Sequence, residues 1–110
     1  MGEADAFEES FAYVDMAETL GLDAVWLAEY HFNPSRSVLS CPPVVAAAIA
    51  GRTKRLKVGT AVRVLPLGNP LRIAEEIATL DHVLKGRFEF GVGRSGFLFV
   101  YEGFNIPYQE

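Results

Sequence analysis

Two short stretches of this chain hold residues whose types and spacing could do chemistry. The first is Glu29-Tyr30-His31, which closes the apolar run Ala24-Val25-Trp26-Leu27-Ala28. If that run is a strand, the cluster lies at its C-terminal end, where ligands bind in parallel α/β folds. A histidine there can transfer protons or donate hydrogen bonds, with Glu29 and Tyr30 as its polar neighbours. Taken alone, the same three residues also describe a polar strand end with an exposed histidine. The second stretch is Gly91-Val92-Gly93-Arg94-Ser95-Gly96, which satisfies G-x-G-x-x-G after another expected strand. The dinucleotide reading requires a helix to start at those glycines, because the pyrophosphate rests on a helix N-terminus. Phe97-Leu98-Phe99-Val100-Tyr101 follows instead, with no cap and no helical period, so a glycine-rich strand end with a close backbone approach is the better reading. Arg94 could still hold an anion through two parallel hydrogen bonds.

Other reactive residue types carry less. His82 stands beside Asp81 in a helical pattern, where a surface or packing role is expected, and Asp81 falls on the expected inner side, suited to anchoring a backbone group. Cys41 has no second thiol and no activating charge beside it, so it reads as a small buried residue, and no metal site is expected. The aromatics from Phe97 to Tyr101 can fill a core or an interface, or pack on a flat ring.

The elements that must position these residues alternate. Phe7, Phe11, Val14, Ala17 and Leu20 recur at helical spacing, predicting a helix over residues 6–20, with Asp5 and Glu8 resembling a capping box and Gly21 closing it. The run from Ala24 to Ala28 reads as a strand buried on both faces. A Ser-, Pro- and Asn-rich loop spans 33–40, and Pro42-Pro43 then open a helix to Ala50 that is apolar almost all round and should be covered on both sides. Leu56 to Leu65 reads as a second strand. Asn69 caps a helix with apolar positions Leu71, Ala74, Ile77, Ala78 and Leu84, closed by Gly86. Phe88 to Gly93 is a third strand, and 94–110 reads as loop with at most a short helical turn. The order implies α/β architecture: three parallel strands with covering helices and right-handed crossovers.

The 110 residues are half hydrophobic and 22% charged, enough apolar surface to collapse into one domain over 1–110 or part of one. Ten Lys and Arg against 14 Asp and Glu, a net charge of -4, give no field to gather nucleic acid or anionic lipid. One cysteine, an acidic N-terminus and the lack of a long apolar run point to a soluble, cytoplasmic protein with no membrane partner.

Several ordered blocks, taken together, resemble the bacterial luciferase-like flavin monooxygenases. They are Gly21-Leu22-Asp23 through Glu29-Tyr30-His31-Phe32, Val58-Gly59-Thr60-Ala61-Val62 through Leu65-Pro66, Asn69-Pro70, Glu75-Glu76, Leu80-Asp81, Gly86-Arg87-Phe88, Phe90-Gly91-Val92-Gly93-Arg94 and Tyr101-Glu102-Gly103-Phe104. The resemblance runs from about Leu20 to Pro107. It implies a TIM (β/α)8 barrel with reduced flavin, FMN or the deazaflavin F420, across the C-terminal strand ends, acting on a small organic substrate with oxygen. Such a barrel needs roughly 250 residues, so the chain would be a partial barrel with strands similar to the family's second, third and fourth.

Residue by residue, the resemblance implies that Ala61-Val62 form the bulge under the flavin ring, where a non-proline cis peptide is common, and that Arg94 contacts the flavin phosphate. His31 aligns with the second histidine of the family's Glu-His-His-Phe block, while Tyr30 stands where the first, catalytic one usually is. A phenol titrating near 10 exchanges protons near neutrality less readily than imidazole. Gly93 replaces a reactive cysteine found in some luciferases. No role is assigned to Arg63. Two open sheet edges and the apolar second helix, together with the family's habit of pairing through barrel helices, suggest a homodimer or larger assembly. The alternative is a truncated, non-catalytic member that folds and oligomerises.

Overall fold

The structure, a computed structural model, describes residues 2–108. The chain opens with α1 (Glu3–Leu20), three residues earlier than the spacing predicts. Asp5 is its third helical residue, accepting a hydrogen bond from the Gly2 N–H at 3.0 Å. Gly21, at φ +81°, turns the chain out of the helix in the left-handed conformation that suits glycine. Then come β1 (Ala24–Leu27), α2 (Pro42–Ala50), β2 (Lys57–Thr60) and β3 (Arg63–Val64). A 3₁₀ turn at Leu65–Leu67 leads to α3 (Pro70–Val83), β4 (Phe88–Glu89), β5 (Val92–Gly93) and α4 (Leu98–Phe104). Asn69 caps α3 as expected, its side chain accepting from the N–H groups of Leu71 and Arg72.

The strands β1, β2 and β4 lie parallel in that order, with Val25 opposite Val58 and Val58 opposite Phe88. Sequential parallel neighbours joined by helices are the repeating unit of a (β/α)8 barrel. All the helices that cover this sheet pack on one face of it. There Val25, Leu27, Val58 and Phe88 meet Val14, Ala17, Ala46, Ile49, Leu80 and Leu84. The opposite face is bare: Trp26 is 56% exposed beside Gly59, where a Cβ would strike the indole, and Lys57 and Glu89 pair at 3.7 Å in solvent. The expectation of a first strand buried on both faces is therefore corrected to burial on one.

Two further corrections concern helices. The face of α3 turned inward carries Ile73, Ile77 and Leu80, with Leu84 just beyond, and Leu71, Ala74 and Ala78 face outward. Asp81 is exposed and anchors nothing by its side chain among the described residues. In α2, Ala46 and Ile49 are buried but Val44, Ala47 and Ala48 are exposed, so this helix is covered on one side only. Leu20, on the last turn of α1, is exposed as well, and so is Cys41.

At the N-terminal end of the sheet, charge binds loop to loop. The Arg87 guanidinium donates to the carbonyls of Leu84, Leu56 and Thr53 and to the Thr53 hydroxyl. The Glu18 carboxylate accepts from the backbone N–H groups of Lys54, Arg55 and Leu56.

Candidate functional site

At the other end of the sheet, the strands expected to run through are each broken once. Thr60 ends β2 and its buried hydroxyl reaches across to Gly91, donating to the carbonyl at 2.8 Å and accepting from the N–H at 3.1 Å. Ala61 N–H donates to Leu27 O at 2.7 Å, the Ala61–Val62 peptide is cis, and pairing resumes as β3 beside β5 with Arg63 opposite Val92. Offsetting the second pair from the first opens a cleft of about 190 Å³ above the strand ends.

Glu29, Tyr30, His31, Ala61, Val62 and Arg94 all line that cleft. Residues from three separate strand ends thus line one cleft. Gly93 does not line it: the glycine sits behind Val62, whose Cγ2 would lie 3.0 Å from a Cβ there.

Glu29 is the centre of the polar arrangement. Its side chain is fully buried, Oε1 accepts from Arg63 Nη1 at 2.9 Å and from the Val64 N–H at 3.2 Å, and Oε2 lies 2.6 Å from His31 Nε2. A carboxylate held by a guanidinium is an acceptor only. Hydrogen bonding therefore assigns the hydrogen to Nε2 of His31 and leaves Nδ1 as the ring nitrogen without a hydrogen bond among the described residues. The ring is 9% exposed and lies perpendicular to the Phe104 ring, with the two centroids 4.9 Å apart. Tyr30 lies apart from this pair: its N–H donates to Leu39 O, and Arg36 sits over its ring at 5.3 Å.

The segment after β5 departs from the loop expected there. Helix α4 forms without a side-chain cap, held by the fully buried Tyr101, whose hydroxyl donates to Ser95 O at 3.0 Å. Arg94 Nε donates to the same hydroxyl at 3.2 Å, Nη2 donates to the Tyr108 carbonyl, and the guanidinium lies over the Tyr108 ring at 4.7 Å. Among the described residues, Nη1 of Arg94 is left for an outside acceptor. The start of α4 lies five residues beyond Gly93, too far to serve the dinucleotide turn, so the glycine motif is a strand-end feature. Gly91 lies between β4 and β5, where a Cβ would collide with the Thr60 carbonyl.

The residue that the sequence reading left without a role is Arg63. A signal existed: of the two cations in the expected strand, Lys57 and Arg63, the second stands near the strand's C-terminal end, as the Glu29 carboxylate does in the neighbouring strand, and burial obliges two such groups to pair.

Comparison with known proteins agrees with this geometry. Over 79 residues, 72% of the chain, the sequence is 48% identical to the alkanal monooxygenase alpha chain of Photorhabdus luminescens, of which the match spans 22%. The fold superposes on monooxygenase RslO1 from Streptomyces bottropensis with a TM-score of 0.94 and 29% identity, over 99% of this chain and 33% of that one. It also superposes, at TM-score 0.89 and 22% identity, on the oxygenating constituent of 3,6-diketocamphane monooxygenase from Pseudomonas putida, over 94% of this chain and 28% of that one. The chain thus spans about a fifth of the curated relative and about a third of the solved structures, and its three-stranded unit is a partial barrel. With the model for the luciferase-like monooxygenases matching residues 1–110 throughout, the chain belongs to the luciferase-like monooxygenase family.

Proposed function

We propose that this chain contributes part of the flavin and substrate site of a flavin-dependent monooxygenase acting on a small organic molecule. The observation that carries the reading is the convergence of an imidazole–carboxylate pair, a small apolar ledge and an arginine on one cleft from three strand ends. The residues fit a flat anionic cofactor in kind. Ala61 and Val62 offer a ledge for a ring, and Arg94 has one amino group, without a partner among the described residues, for a phosphate. In size the cleft is incomplete, since about 190 Å³ falls short of the roughly 300–1,000 Å³ of small-molecule pockets. The remaining walls belong to other parts of a barrel.

Reduced flavin, when bound, supplies the oxygen chemistry. The chain's own residues orient and protonate. His31 Nδ1 exchanges a proton with a reacting group, Glu29 holds the ring, and Tyr30 offers a hydrogen bond at the cleft wall in the place where relatives of this family carry a histidine. Gly93 supports the ledge from behind Val62. FMN is the favoured cofactor because the 3,6-diketocamphane enzyme was solved in complex with it, and F420 is the alternative. The exposed apolar side chains Val44, Leu71 and Val83 on the outer side of α2 and α3 support a homodimer formed through those helices. No described helix is long and apolar enough to cross a membrane, and a cytoplasmic location is proposed from the composition. The second reading, a non-catalytic family member, draws on the small cleft and on the two donors Arg94 spends within its own chain.

Titration of FMN fluorescence with the protein tests the reading. Weak but saturable quenching at tens of micromolar protein is expected, because the cleft is incomplete, and its absence with both FMN and F420 refutes it.

A further inference from the structure

We infer that Arg63 is a positioning residue that sets which nitrogen of His31 faces the reacting group. This deepens the proposed function and rests on its use of His31. Three observations carry it. Arg63 and His31 occupy opposite oxygens of one fully buried carboxylate, at 2.9 and 2.6 Å, so the three side chains form a single line from strand β3 to the cleft. Second, Arg63 is itself held. It is 15% exposed, Val64 on its own strand donates its N–H to the same Glu29 oxygen, and Gly68 leaves room for Nη2, which would lie 3.1 Å from a Cβ there. Third, the Glu29 carboxylate is the side-chain partner that Arg63 has among the described residues, through Nη1.

The physical consequence concerns the tautomer. A buried carboxylate stripped of its cation is a poor tenant of an apolar site and recruits a proton or swings to solvent. Either change loosens the bond that keeps hydrogen on Nε2. With Arg63 present, Glu29 stays an acceptor, Nε2 donates, and Nδ1 points its lone pair away from the pair. The other charged or titratable groups facing the cleft, Arg94 after β5 and Tyr30 beyond β1, make no hydrogen bond to this ring among the described residues.

The test needs no flavin. Nitrogen-15 spectra of the histidine rings in the whole native protein, taken in mildly alkaline buffer, separate His31 from His82, which is exposed on α3 and serves as the free-ring reference. Hydrogen on Nε2 of His31, with slow exchange, is expected. Replacing the charge-assisted arrangement by a looser one through Arg63→Met should speed that exchange at least about tenfold, and Arg63→Lys, which keeps a cation, should restore most of it. Hydrogen on Nδ1 in the native protein overturns the inference without recourse to any variant, which keeps it falsifiable if Arg63→Met does not fold. A folded Arg63→Met with unchanged exchange overturns it too. Because the ring is observed without cofactor, a protein that fails to bind flavin while showing this pattern refutes the proposed function and leaves the positioning role standing.

Discussion

Replacing Thr60 by Val should unlatch the strand break that creates the cleft. Thr60 is fully buried, and valine fills nearly the same volume, so the perturbation is the loss of one hydroxyl. That hydroxyl makes two bonds to Gly91, donating at 2.8 Å and accepting at 3.1 Å. The Gly91 carbonyl keeps a second donor in the Arg63 N–H at 2.9 Å, whereas the Gly91 N–H loses its acceptor. Two net bonds at about 1 kcal/mol each, with a further contribution from the stranded N–H, give a loss of about 2–3 kcal/mol. In urea denaturation of the whole protein this corresponds to a midpoint lower by about 1 M. Thr60→Ser keeps the hydroxyl and removes a methyl, so it should lose only about 1 kcal/mol. The reasoning fails if the valine variant unfolds within about 0.5 kcal/mol of the native protein, the usual range for neutral surface changes, or if serine is as damaging as valine.

Arg94→Ala should weaken FMN binding by no more than about fivefold, because a single solvent-accessible ion pair contributes at most about 1 kcal/mol; identical titration curves would remove Arg94 from the site. His31→Ala should abolish most flavin-dependent turnover while His82→Ala leaves it unchanged, and equal losses would place the chemistry elsewhere than at these strand ends. Acid stability should depend on Glu18. Burial tends to raise its carboxyl, but the N–H groups of Leu56, Arg55 and Lys54 and the Arg55 charge outweigh it and hold it below the ordinary range. A depressed folded value means stabilisation that is full above the ordinary carboxylate range and lost as pH falls through the lowered one. Glu18→Gln should therefore flatten the acid limb of the unfolding midpoint against pH, and an unchanged limb would refute the assignment.

The parallel order of strands and the positions of α1, α2 and α3 were legible because each is written in local pattern: an apolar run, a proline in the first turn, a glycine at the end. What was not legible depends on partners distant in sequence. The second strand reads as continuous from Leu56 to Leu65, yet it breaks around Ala61, whose N–H goes to Leu27 O on one side while the Arg63 N–H goes to Gly91 O on the other. The phase of α3 shifts from Leu71 to Ile73 because the packing against α2 and the sheet decides which stripe turns inward. Helix α4 is seven residues long and is anchored by Tyr101 to Ser95 and Arg94, none of which a periodicity can register. At the site, strand-end position identified Glu29 and His31, whereas Arg63 became intelligible only when β3 placed it against Glu29.

Trp26 gives the bare sheet face an optical handle. It is the only tryptophan in the sequence and it lies on the side that no helix of this chain covers, its indole set against Gly59. Its emission colour is therefore governed by one question, whether water or protein borders that side. Emission near that of indole in water would mean a sheet open to solvent, and a blue shift would report its enclosure. The chain thus carries an unlabelled spectroscopic gauge of barrel closure, readable during refolding or assembly while the chemistry at the strand ends remains silent.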